Sequence, residues 1–370
     1  MAAYETITID LERHVKRDAE EFKDRQYALF TGVQIHGPNG SDHCWLGKAS
    51  LLIKGELSPL VLSANSTSQF TVNMTSSQSH STKLSANVSA DSNGACPHCH
   101  QPMKKIATST DSFQSTLDKL FPNAYGLEEF VFETKQTLVP KGFYPHVNTL
   151  VCVGLCRDEI TSPFEEEIEA MWGQAFICGS LGGMLFCGET GFAAAHHHAP
   201  SNGFFVYYCF THIAIDHEGN VGAVYRTRSG MNEKTTACGA LAAFTSEIAS
   251  NKLNLTFNED DIEMSMLKKH IVRKTNLSTD PAKAPTLFEV TMAAYETITI
   301  DLERHVKHDA EKFKDRQYAL FTGVQIHGPN GSDHCWLGKA SLLIKGEFSP
   351  LVLSANPSSQ VQTGSTSKSH

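Results

Sequence analysis

Three residues able to grip a divalent ion stand far apart in this sequence. Cys156 ends the apolar run of "VCVGLCRDE", His198 ends the histidine run of "HHHAP", and Cys238 opens "CGALAAFTSEIASN". Two thiolates and one imidazole form a known Zn2+ set that leaves the fourth tetrahedral position to water. Zinc lowers the pKa of such a water to about 7, which makes a hydroxide nucleophile near neutral pH. By residue type alone, the same side chains serve equally as two buried thiols and a polar loop, because free cysteine commonly packs as a small hydrophobe.

Chemistry at these positions requires elements that converge. "NTLVCVGL" reads as a buried strand with Cys156 just past its carboxyl end, and "CGALAAFTSEIASN" as a helix opening at Gly239. Strand ends of open α/β sheets are where ligands are presented, and unsatisfied N–H groups at a helix start favour a thiolate. Around them, "SPFEEEIEAMWGQAF" predicts a helix with Ser162 as N-cap and a solvated acidic face. "SLGGMLFCG" predicts a glycine-flanked strand, "GFFVYYCFTHIAID" a long strand, and "NVGAVYR" a strand after a turn at Glu218–Asn220. A long helix follows, with Tyr295, Ile298, Leu302, Val306 and Phe313 on one face. "YALFTGVQIHG" and "WLGKASLLIKGEFSPLVLSA" close the unit as strands, with a hairpin at Lys345-Gly346. This alternation predicts an α/β fold, a sheet flanked by helices.

A repeat governs the organisation. Residues 1–65 recur as residues 292–356, differing only at Arg17/His308, Glu21/Lys312 and Leu57/Phe348. The expected division is a detached copy of the tail of a preceding repeat over 1–65, a Ser/Thr-rich linker over 66–112, one globular unit over 113–356, and a disordered tail over 357–370. One body offers one seat, so one copy docks on it. The other goes unpaired, self-associates or exchanges between chains.

The totals bound the function. The chain has 370 residues and a net charge of −9, which argues against a nucleic-acid footprint. No apolar run reaches the roughly 18–20 residues of a membrane span. Ten cysteines in a chain this long are no disulfide framework. Cys152, Cys178, Cys187 and Cys209 lie in apolar runs, which points to a reducing compartment or to cysteines committed to metal. Cys96-x-x-Cys99, with His98 and His100, is half of a zinc knuckle inside the expected linker and reads as a solvated segment.

The motifs "VCVGLCRDEIT", "LGGMLFCGETG", "HAP", "FTHIAIDHEG", "ACGAL" and "FTGVQIHGP", in this order, resemble the limiting-CO2-inducible protein B/C family. That algal and diatom family is related to the theta-type enzymes and looks like a branch of the β-carbonic anhydrases. The resemblance covers about Phe113 to Asn356 and implies a β-carbonic-anhydrase-like sheet. It implies reversible hydration of CO2 to bicarbonate by hydroxide generated at Zn2+, serving inorganic-carbon acquisition. Carried over, the Cys, His, Cys ligands fall on Cys156, on His198 of the "H-small-Pro" motif, and on Cys238. His196 is then assigned to solvent, and His197 to solvent or a proton relay. His212 and His327 line the pocket or fill the strand core, and Cys187 packs.

An Asp–Arg pair beside the metal is also implied. The Asp is Asp158, two residues after the first cysteine, but the usual Arg two further on is Ile160 here. Arg226 is the chosen partner, with Arg228 and Arg157 as rivals. A bidentate Arg holds the carboxylate off the metal and lets it accept a hydrogen bond from water there. The family further implies a homodimer or pseudo-dimer of tandem units and a chloroplast location. The alternative function is a catalytically silent zinc-binding member acting through association in a CO2-concentrating assembly. A thiol redox role is disfavoured, since the one CxxC lies in the linker.

Overall fold

The duplicated sequence folds the same way twice. In the computed structural model, residues 2–22, 25–37, 42–53, 56–64, 70–74, 110–226 and 233–353 are described. The chain divides into two compact units, Met1–Lys104 and Lys105–His370.

The first unit comprises helix α1 (Ala2–Glu21) and strands β1 (Gln26–His36), β2 (Asp42–Ile53), β3 (Glu56–Ala64) and β4 (Phe70–Met74), paired in that order. Ala19 on α1 meets Leu29 and Leu52 on the sheet in a small core, with Leu11, Val15 and Tyr27 around it. The stretch read as a linker thus contributes a strand at β4, antiparallel to β3. The Cys96–Cys99 motif lies outside the described residues.

The second unit begins with α2 (Thr110–Leu120), β5 (Tyr125–Gly126) and α3 (Leu127–Leu138). It continues through β6 (Thr149–Gly154), α4 (Ser162–Trp172), β7 (Ala175–Ile177), α5 (Gly188–His196) and β8 (Phe204–Ala214). After β9 (Ala223–Arg226) and β10 (Glu233–Thr236) come α6 (Gly239–Ala249), α7 (Ile262–Lys274) and α8 (Leu287–Lys312). The tail is β11 (Gln317–His327), β12 (Asp333–Ile344) and β13 (Glu347–Pro350).

The main sheet runs β13-β12-β11-β8-β6-β7, with β5 on β12. Strands β7, β6, β8 and β11 are parallel and β12 and β13 antiparallel. Helices cover both faces, so β8 is buried along nearly its whole length and reads as a continuous apolar run. Phe130 and Val131 of α3, with Phe164, Ile168 and Trp172 of α4, fill one side. Leu241 and Phe244 of α6, Leu267 and Ile271 of α7, and Ile298, Leu302 and Val306 of α8 fill the other. The long helix α8 starts at a capping box, Thr286 with Glu289, which satisfies orphan N–H groups reciprocally. At the β12–β13 hairpin, Lys345 and Gly346 both take positive φ (52° and 82°), the twist a two-residue hairpin needs. No helix among the described residues is long and apolar enough to cross a membrane.

Two local expectations fail. Helix α4 is capped by Thr161, and Ser162 is its first residue. "SLGGMLFCG" is no strand: Leu181–Gly183 forms a single 3-10 turn. Gly182 and Gly183 adopt φ of 68° and 82°, which a strand does not accommodate. A Cβ on Gly183 would lie 2.4 Å from the Phe210 carbonyl oxygen, so the turn presses directly on β8.

Candidate metal centre

Three elements converge at the carboxyl end of β6. Cys156 follows that strand, Cys238 is the N-cap of α6, and His212 lies near the end of β8. One ligand atom from each falls within 4.8 Å of the other two, and all three residues are buried. The cysteine sulfurs are 3.8 Å apart. Tetrahedral bonds of about 2.3 Å from one zinc place two sulfurs about 3.8 Å apart, so the spacing fits a shared ion. His212 Nε2 is buried without a hydrogen-bond partner, an orphan that a metal would satisfy.

The surroundings favour a sulfur anion. The Gly182 N–H donates to Cys156 Sγ at 3.1 Å, which is what the glycine turn achieves. Cys156 is held down to about 4, first by its hydrogen bond with Cys238 and also by the Asp158 N–H, against the cost of burial. Cys238 is pushed well up because it shares its proton with the Cys156 sulfur, and burial adds to this. The two thiols thus act as a coupled pair, with one proton to lose on meeting a cation.

Beside this pair, Arg226 grips Asp158 with two parallel N–H···O bonds of 2.8 Å each. Arg226 Nε donates to Thr235 Oγ1 at 2.9 Å, which fixes the guanidinium plane. Burial opposes ionisation of Asp158, yet the bidentate Arg226 holds it down to about 2. Arg226 is shifted up by the same partner. Strand β9 therefore supplies the arginine that the sequence lacks at position 160. Arg157 is engaged elsewhere, donating to Glu263 of α7 at 2.8–3.2 Å. Arg228 lies outside the described residues.

The histidine run does not join the cysteines. Helix α5 ends at His196, so His198 falls in the turn beyond it, exposed and edge-on to Phe176 at 5.5 Å between ring centroids. His197 is exposed as well. His196, expected in solvent, is buried: it stacks on Phe313 and takes Arg316 at Nδ1 and at its carbonyl, both at 3.0 Å. His196 Nε2 lies 3.2 Å from Asp309. His212, expected to line the pocket or fill the strand core, is the histidine that stands with the two cysteines. Its signal was a polar pair, Thr211-His212, inside an otherwise apolar strand, since a buried polar group is the informative exception. His212 Nδ1 lies 3.0 Å from His327 Nε2, and burial lowers the pKa of His327.

The sequence matches the limiting CO2-inducible protein B/C β-carbonic anhydrase family model over residues 124–342, more than half of the chain. Among solved structures, the chain is similar to PtLCIB4, a homolog of the limiting CO2-inducible protein LCIB, with 23% identity and a TM-score of 0.56. That match covers 65% of this chain and 100% of the other. Similarity to LCIB has 29% identity and a TM-score of 0.52, covering 65% of this chain and 99% of that one. No curated protein matches. The mixed sheet flanked by helices and the match across it lead to one conclusion: the chain belongs to the limiting CO2-inducible protein B/C family of β-carbonic anhydrases.

Proposed function

We propose that this chain catalyses the reversible hydration of CO2 to bicarbonate, with Zn2+ held by Cys156, His212 and Cys238. The observation that carries this reading is the convergence of two sulfurs and an unpartnered imidazole nitrogen within 4.8 Å, beside a half-buried Asp–Arg pair. When bound, zinc supplies a water whose pKa falls to about 7. Asp158, ionised and pinned by both Arg226 nitrogens, is kept from becoming a fourth ligand and accepts a hydrogen bond from the reacting water. Gly182 stabilises negative charge on Cys156, and so tunes how much cationic charge the site retains.

Stopped-flow CO2 hydration together with zinc content tests this reading. The parent chain is expected to hydrate CO2 and to carry zinc. Cys156→Ser and His212→Ala lose both, and His198→Ala keeps its zinc. Arg226→Ala keeps zinc and loses most of its turnover, since a freed Asp158 competes with water. A parent chain full of zinc and inert towards CO2 would establish the silent, associative function instead. Zinc retained by His212→Ala but lost by His198→Ala would return the third ligand to the histidine run.

A further inference from the structure

We propose that His327 and Asp333 are positioning residues that select the tautomer of His212 and hold its ring so that Nε2 offers a lone pair to the metal. This rests on the reading of His212 as a ligand. Proton positions are forced from the carboxylate inward. Asp333 Oδ1 lies 3.0 Å from His327 Nδ1. An ionised carboxylate only accepts, so His327 Nδ1 carries that ring's proton. In an imidazole with one proton the other nitrogen is an acceptor, so His327 Nε2 accepts from His212 Nδ1 at 3.0 Å. His212 then has no proton at Nε2, the atom left without a partner in the structure.

The opposite tautomer would turn an N–H towards the two sulfurs and exclude a cation. Burial makes the selection strict, because His212 and His327 are both inside and water has no access to replace either bond. Gln325 Nε2 donates to Asp333 Oδ2 at 3.3 Å and keeps the carboxylate facing His327. The chain of bonds runs from β8 through β11 to the start of β12, so three strands of the sheet are tied to one ligand orientation. Outer partners of this kind, when removed, typically cost about 10–100-fold in metal affinity.

The test is zinc competition against a chelator on the full chain, with 15N NMR of the histidine rings of the metal-free protein. His327→Phe keeps the bulk of the ring and removes the acceptor. It is expected to weaken zinc about 10–100-fold and to move the His212 proton towards Nε2. His327→Gln restores an acceptor and is expected to recover part of the affinity, which a mere packing defect would not allow. Asp333→Ala weakens zinc in the same direction as His327→Phe. The proposal is overturned if His327→Phe, folded as judged by thermal melting, binds zinc within twofold of the parent with the His212 tautomer unchanged. If His212→Ala also binds zinc as the parent does, the assignment of His212 as a ligand falls instead, and the two failures are distinct.

Discussion

Residues 27–36 and 318–327 share one sequence, "YALFTGVQIH", and meet opposite fates. Each pairs with the following strand in the same register, with the same irregularity at Thr31/Gly32 and at Thr322/Gly323. Each lies against its own helix, with Thr8 to Thr31 at 3.0 Å in one copy and Thr299 to Thr322 at 2.9 Å in the other. Tyr4 meets Trp45 edge-on, as Tyr295 meets Trp336. Yet Phe30 is 53% exposed where Phe321 is fully buried, and Ile35 is 49% exposed where Ile326 is fully buried. His36 is exposed, whereas its counterpart His327 is held between His212 and Asp333. The helix–hairpin is therefore encoded within the segment. Burial, and with it any role at a metal centre, comes from β8 on one edge and from α2, α3 and α4 on the faces.

The comparison breaks most readily at the paired phenylalanines. Phe321→Ala empties a site against Phe130 and Tyr208 and is expected to cost about 3–5 kcal/mol. Phe30→Ala removes an exposed ring and is expected to change stability by less than about 0.5 kcal/mol. Urea denaturation of the full chain measures both. Equal losses would mean that Phe30 is covered in solution.

At the helix-facing side the copies should instead agree. Leu52 and Leu343 are both fully buried, so Leu52→Ala and Leu343→Ala are each expected to cost about 2–5 kcal/mol within their own unit. A small effect at Leu52 alone would show that the first copy does not hold its hairpin on α1. Amide hydrogen exchange sharpens the same contrast along the backbone. Strand β11 bonds on both edges, to β12 and β8, whereas β1 pairs only with β2 among the described residues. Alternate amides of residues 27–36 should exchange far faster than their counterparts in 318–327. Peptides reaching back to Glu21 or Lys312 tell the copies apart by mass.

The same contrast explains what could be read without coordinates. Strands β8 and β11, the body of helix α8 and the hairpin at Lys345-Gly346 were legible because their signals are local: apolar runs, 3.6-residue periodicity and turn chemistry. Cys156 and Cys238 were legible because each sits at an element boundary. His212 was not, since a histidine within a buried strand looks like a satisfied core group until the residues across the sheet are known. The glycine turn at 181–183 was misread because apolar neighbours imitate a strand, whereas its role is set by Cys156 and β8, both distant in sequence. Arg226 was chosen by family resemblance. Its pairing with Asp158, a strand away, is visible only when β9 is in place.

The smallest effect lies where the copies differ. Of the three differing positions, two bring α8 side chains next to a carboxylate: His308 and the cation Lys312 both approach Glu189 of α5, Lys312 at 3.8 Å. The first copy carries Arg17 and Glu21 there, so its sequence would set Glu21 against that carboxylate. Lys312→Glu should therefore destabilise the second unit, by no more than about 1 kcal/mol because the groups are exposed. The reciprocal Glu21→Lys should leave the first unit unchanged. The loss at Lys312 should shrink as salt rises, since exposed charges are screened over about 10 Å at 0.1 M ionic strength. A salt-independent loss would instead place the effect in packing of the lysine stem. A comparable gain from Glu21→Lys would mean that the first copy meets the same carboxylate, and would overturn the view that the two segments differ only in what surrounds them.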